Sequence, residues 1–235
     1  MLLQVASLTK RYGHFTALSD VSFTIRPGEV LGLIGPNGSG KTTLFECLGG
    51  VLPPDSGCMQ ANGRALSSAE RAAAIFYLPD AIAPWPAQTV RWALEFAGGF
   101  FGDPSLIDQL VEELDLEPLL DSTIGTLSKG QRKRALLAFG LLTPQPVLLA
   151  DEPFDGLDLR QSRDVARTLR AHVAASRTML LSIHQITDAA RVCDRFVLLS
   201  GGRVRGEGTF DELSAVAEAH GTRAADLEEV FLALT

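Results

Sequence analysis

Apolar and polar residues alternate near the start of the chain, in Leu3-Val5-Ser7 and again in Val21-Phe23-Ile25 before the turn Arg26-Pro27-Gly28. Period-two alternation describes strands with one face in a core, so a small antiparallel unit is expected here. Gly57 to Gly63 predicts one more strand, ending in an Asn62-Gly63 turn. The run from Glu29 to Ile34 is different, being almost continuously apolar, as in a strand buried on both faces. It leads into a glycine-rich loop and a helix over about Lys41 to Leu48, which Gly49-Gly50 should stop.

The stretch from about Ala81 to Thr143 changes character. The break Ala83-Pro84-Trp85-Pro86 precedes helical spacing at Trp92, Phe96, Leu106, Leu110, Leu114 and Leu142. Strand and helix patterns then return: Val147 to Ala150, a helix carrying Val165, Leu169 and Val173, and Thr178 to Ile183. That order predicts a parallel sheet with crossover helices. Arg195 to Gly208 reads as a hairpin around Gly201-Gly202, and Phe210 to Ala219 as a short helix. No internal repeat interrupts the series, so one α/β unit with a helical insertion is expected.

Composition narrows the class without changing this picture. With 235 residues, 46% hydrophobic and 21% charged, the chain is long enough for a large core and has the balance of an ordinary folded protein. A formal net charge of -7 works against polyphosphate backbones, so no nucleic-acid partner is expected. Cys47, Cys58 and Cys193 are widely spaced with no zinc-like setting and read as reduced thiols of a cytosolic protein. No secretory signal is visible at the N-terminus, and the apolar runs are far shorter than the ~18 to 20 residues a spanning helix needs. A role at a membrane would require an anchoring partner.

Two motifs carry chemistry. Gly35-Pro36-Asn37-Gly38-Ser39-Gly40-Lys41-Thr42-Thr43 fits GxxxxGK[ST] between an expected strand and an expected helix. Its glycines let successive N–H groups converge on a phosphate chain, Lys41 reaches the β and γ phosphates, and the Thr42 hydroxyl suits Mg²⁺. Val147-Leu148-Leu149-Ala150-Asp151-Glu152 ends an apolar strand in two carboxylates at the carboxyl edge of the sheet. Asp151 is suited to orient the metal and Glu152 to act as general base on a water molecule. Taken alone, two acids after a strand are more often a solvated turn or a helix cap; the phosphate loop upstream reverses that weighting.

Between these motifs lies Leu127-Ser128-Lys129-Gly130-Gln131, and with it the chain resembles the ATP-binding-cassette family, whose signature LSGGQ it matches except at Lys129. Ser128 and Gln131 also form a capping box, a sufficient local reason for the pattern. The resemblance covers nearly the whole chain. It implies an α/β fold of P-loop NTPase type, with a parallel sheet, a small antiparallel β-subdomain and a helical subdomain at 81–144 inserted between 1–80 and 145–235. It further implies that Tyr12 stacks on adenine, that Ser128, Gly130 and Gln131 meet the γ-phosphate held by a second subunit, identical or not, and that His184 faces the γ-phosphate. Asp155-Gly156-Leu157-Asp158 resembles the loop touching the opposite site. Asp80 stands where the family usually has a Gln near the metal, so its contact with Mg²⁺ is an open point.

The function this implies is ATP hydrolysis driving a separate membrane permease from the cytoplasmic face. The C-terminal Asp226 to Thr235 resembles the end of bacterial exporter ATPases, although an acidic amphipathic helix packed on a core has the same pattern. Two alternatives stand beside it: an ATPase of this family uncoupled from transport, and a low-turnover regulatory module. Trp85 between two prolines is open as well, as a local core cap or as part of a permease socket.

Overall fold

The computed structural model describes residues 2–80, 82–101, 104–219 and 226–235. The expected segment boundary at residue 81 lies outside them. Strands β1 (Leu3–Tyr12) and β2 (Phe15–Ile25) form an antiparallel hairpin. Leu3, Val5 and Leu8 are buried, while Ser7 sits in a left-handed conformation at a register shift. The alternation is therefore broken by a bulge that returns Leu8 to the core.

The buried strand β3 (Val30–Ile34) runs into the glycine loop and helix α1 (Lys41–Gly49), which ends at left-handed Gly50. Strands β4 (Ser56–Ala61) and β5 (Arg64–Ala65) flank Asn62-Gly63, both of positive φ, as a tight hairpin requires. They join the first hairpin in a four-stranded antiparallel sheet of order β2-β1-β4-β5. Helix α2 (Ser68–Ala74), capped reciprocally by Ser67 and Glu70, leads to β6 (Ile75–Leu78).

Helices α3 (Val90–Phe101), α4 (Leu106–Glu113) and α5 (Lys129–Leu141) follow, with two short 3₁₀ turns between the last two. The rest of the chain supplies β7 (Val147–Asp151), α6 (Leu159–Ala174), β8 (Thr178–Ile183), α7 (Ile186–Val192), β9 (Arg195–Ser200), β10 (Arg203–Gly208), α8 (Phe210–Ala219) and α9 (Leu227–Leu234). The larger sheet has the order β10-β9-β3-β8-β7-β6, parallel except for β10. This is the α/β fold expected from the sequence.

The larger sheet is apolar on both faces, and each face has its own core. Leu31, Leu33, Leu149, Leu180 and Val197 pack with α1 and the antiparallel sheet. Leu148, Met179, Leu181 and Leu198 belong to a second cluster that continues through Val90, Leu94, Leu110 and Leu136 of the helical segment. The helical spacing read at Trp92 and Phe96 locates α3 but marks its outer side: both rings are exposed, and Val90, Ala93, Leu94 and Ala97 form the buried face. In α9, Leu227 and Val230 are buried, with Phe231 and Leu234 packed beside them.

Candidate functional site

Because β3, β8, β7 and β6 are adjacent and parallel, their carboxyl ends open onto one edge of the sheet. In that order they deliver the glycine loop, His184, Asp151-Glu152 and Asp80. Ligands of open α/β sheets gather at this edge. A cleft of about 550 Å³ lies here, bordered by Tyr12, Pro36, Asn37, Gly38, Gly40, Lys41, Thr42, Thr43, Asp80, Asp151, Glu152 and His184. Phe15, Ala17 and Asp155 complete its rim.

The loop itself depends on two kinds of glycine. A β-carbon on Gly35 would stand 2.3 Å from the Leu199 carbonyl oxygen, so the chain closes over the end of β9 only with hydrogen there. Gly38 and Gly40 adopt φ of 79° and 106°, which turns the backbone back toward α1. Lys41 is buried, and its Nζ donates to the Gly35 carbonyl at 2.7 Å and stands 3.6 Å from Glu152 Oε1. Ser39 Oγ is buried without a hydrogen-bond partner among the described residues. An orphan hydroxyl inside a cradle of N–H groups at a helix start is suited to a phosphate oxygen, so the loop fits the triphosphate of a nucleotide.

Thr42 Oγ1 donates to Asp151 Oδ2 at 3.1 Å, and Ser182 Oγ donates to the other carboxylate oxygen. A hydroxyl and a carboxylate side by side suit a hard cation that completes its shell with phosphate oxygens and water, so these residues fit Mg²⁺. Glu152 follows in a left-handed conformation, φ 50°, held by its N–H on Ser182 Oγ at 2.9 Å. For a non-glycine residue that geometry costs about 1 to 2 kcal/mol. It aims the carboxylate into the cleft, where Oε2 meets His184 Nδ1 at 3.3 Å. Burial raises the Glu152 pKa above the ordinary glutamate value, against the lowering pull of Lys41 and His184.

Asp80 has a partner that the sequence did not announce. Lys133 of α5, almost fully buried, donates to Asp80 Oδ1 at 2.6 Å and to the Asp151 carbonyl at 3.1 Å. Ser128, Gly130 and Gln131, by contrast, do not border the cleft. Ser128 caps α5 by accepting from Gln131 N, while the Gln131 side chain accepts from Ser128 N. Lys129, the departure from the signature, pairs with Asp155 and holds that carboxyl below its ordinary pKa. Phe15, which borders the cleft as the cross-strand partner of Tyr12, was missed, as were Ser182 and Lys133, which reach the cleft acids only through tertiary contacts with Asp151, Glu152 and Asp80.

A glycine-lined phosphate cradle, a hydroxyl–carboxylate pair and a glutamate beside a histidine at one sheet edge define a nucleotide-binding α/β protein. The family model described as ABC transporter matches residues 18–155, and the chain belongs to that family as an ATP-binding subunit. It is 35% identical over 219 residues to the Nod factor export ATP-binding protein I of Ralstonia nicotianae, covering 90% of this chain and 68% of that protein. The protein of the same name from Bradyrhizobium diazoefficiens is 33% identical over 220 residues, covering 91% and 72%. A solved structure of the ATP binding subunit of an ABC transporter superposes with a TM-score of 0.87 at 30% identity, covering 100% of this chain and 99% of that one. Subunits of this family are ATPases that dimerise and work with membrane components. No helix among the described residues is long and apolar enough to cross a membrane.

Proposed function

We propose that this chain hydrolyses ATP with Mg²⁺ at the cleft and thereby drives a separate membrane permease in the export direction. The observation that carries the reading is the convergence of Lys41, Glu152 and His184 beside the Thr42–Asp151 pair. The backbone of Gly35 to Thr43 cradles the phosphates while Lys41 draws its ammonium onto the β and γ groups. Tyr12 supplies a face for adenine. Thr42 and Asp151 would hold Mg²⁺, which when bound would offset the charge of the terminal phosphates. Asp80 would offer the metal the carboxylate oxygen that Lys133 does not hold. Glu152 takes the proton of the attacking water, and His184 orients Glu152 and contacts the γ-phosphate.

Ser128, Gly130 and Gln131 lie off the cleft of their own chain, which supports a head-to-tail pair in which they meet ATP on a second nucleotide-binding subunit. The 81–144 segment acts as a helical lobe of one ABC ATPase domain, and its exposed aromatic row forms the permease contact. Trp92 stacks on Phe96 at 5.2 Å between ring centres and Phe96 on Phe100 at 5.7 Å, with Trp85 packed edge-on against the first two. The subunit then sits at the inner face of the cell membrane through its permease. The export direction is supported by the Nod factor export proteins it resembles.

Reconstitution in vesicles with the membrane protein that co-purifies with the chain tests this: ATP on the side bearing the subunit should move substrate away from that side, with phosphate release rising when substrate is present. Uptake toward the subunit would overturn the direction, and phosphate release indifferent to any permease would overturn the coupling. Cross-links from residues 85–100 should land on the permease; their absence in a functional complex would remove the aromatic row from that contact.

A further inference from the structure

The tip of the first hairpin carries more apolar surface than the hairpin needs. Tyr12 and Phe15 are direct cross-strand partners closing the β1–β2 turn, so their rings leave the same face of the sheet. Both are open to water, at 48% and 64% exposure, and both border the cleft that contains the phosphate loop. Lys10 Nζ lies 5.8 Å from the Tyr12 ring centre, so a cation already stands over one aromatic face at this position. Phe15 has no such companion among the described residues and is the most exposed large aromatic on the cleft rim. A hairpin tip is stabilised by a cross-strand aromatic pair, but that alone does not direct both rings into a cleft.

We propose that Phe15 is a second base-contacting residue, which with Tyr12 forms a two-ring platform for the purine of the bound nucleotide. The inference rests on the nucleotide reading of the cleft and adds a basis for its selectivity. Apart from the two rings, the hairpin brings only Ala17 to the rim, so this side presents apolar surface to the base. Stacking rewards the area of a π-face and is tolerant of the base's edge pattern. Selection is therefore by ring size: purines are held more tightly than pyrimidines, and adenine and guanine are held alike.

Calorimetric titration of the full chain with ADP, GDP, CDP and pyrophosphate tests this without interference from turnover. The parent should bind ADP and GDP within about threefold of each other and CDP several-fold more weakly, as stacking area dictates. Phe15→Ala should weaken ADP and GDP by about tenfold, leave pyrophosphate affinity unchanged, lower the unfolding temperature only by the small amount a lost cross-strand pair costs, and be rescued by Phe15→Tyr. Equal loss of ADP and pyrophosphate would show a purely structural role and overturn the proposal. So would an ADP affinity untouched by Phe15→Ala, or discrimination of ADP from GDP beyond about tenfold, which requires polar reading of the base edge. If pyrophosphate and ADP both fail to bind the parent, the nucleotide reading itself has failed, an outcome separate from loss of the base contact alone.

Discussion

Lys133 of α5 holds the Asp80 carboxylate at the end of β6, 2.6 Å away, and reaches the Asp151 carbonyl at the end of β7 with the same ammonium. One buried cation thus ties the helical segment to two strand ends of the nucleotide cleft. Asp80 is 31% exposed and Lys133 only 4%, so water helps the acid far more than the base. Removing the acid leaves a buried ammonium with one carbonyl; removing the ammonium leaves a carboxylate that water can still reach.

Asp80→Asn should therefore destabilise the chain by about 1 to 3 kcal/mol, more than loss of an exposed acid such as Asp121. A double-mutant cycle with Lys133→Met, read by urea unfolding, should return a coupling of about 1 kcal/mol or more. Additive effects would mean that the contact holds nothing together.

Lys41→Ala and Glu152→Gln separate binding from chemistry. The lysine variant should lose nucleotide affinity, because its ammonium is the cation placed to meet the phosphates. Glu152→Gln keeps the shape of the side chain and should bind ATP while turning over about 10² to 10⁴ times more slowly. Titration with ATP and a phosphate-release assay report the two effects independently. A Glu152→Gln variant as fast as the parent removes Glu152 from the base role.

The raised pKa of Glu152 has consequences for both activity and stability. As a base it must be ionised, so the acid limb of the ATPase profile should fall at a pH above the ordinary glutamate range. For stability the folded chain binds this proton more tightly than the unfolded chain. The contribution is full in acid and is lost as pH rises through the raised value. Glu152→Gln should therefore raise the melting temperature near neutral pH, and that gain should vanish below the ordinary glutamate range. Scanning calorimetry across pH checks the sign.

ATP should bring two copies together. In the slow Glu152→Gln background, light scattering should show a dimer in ATP and Mg²⁺ and a monomer in ADP, since ATP alone supplies the γ-phosphate for the Ser128 end of α5. Adding Ser128→Arg should abolish the dimer without unfolding the chain, because Ser128 is exposed. A dimer that survives this change would overturn the head-to-tail arrangement.

The fold was legible wherever pattern and burial agree. The apolar runs at Val30–Ile34 and Val147–Asp151 are fully buried strands, and the phosphate-loop lysine and the strand-end acids meet in one cleft. Two short helices were not read. The Ser67-x-x-Glu70 capping box of α2 was present in the sequence, but the helix behind it buries only Ala74 and gives no apolar periodicity. Trp92 and Phe96 have helical spacing yet face outward, since spacing gives an element's period and not which side meets the core. Lys133 is 53 residues from Asp80, and nothing local marks a lysine as buried.

At Gly130 an added β-carbon would stand 2.4 Å from the Gly156 carbonyl oxygen, while at the neighbouring position the Lys129 side chain reaches out to Asp155. The start of α5 and the 155–158 loop are thus interlocked through their main chains, with an ionic clasp outside the contact. In the proposed dimer the start of α5 addresses the partner's nucleotide, while Asp155 of the loop borders the cleft of its own chain. A shift imposed at either triphosphate would then travel as the displacement of a single rigid piece, and the two halves of the engine would keep time through a glycine that leaves no room for slack.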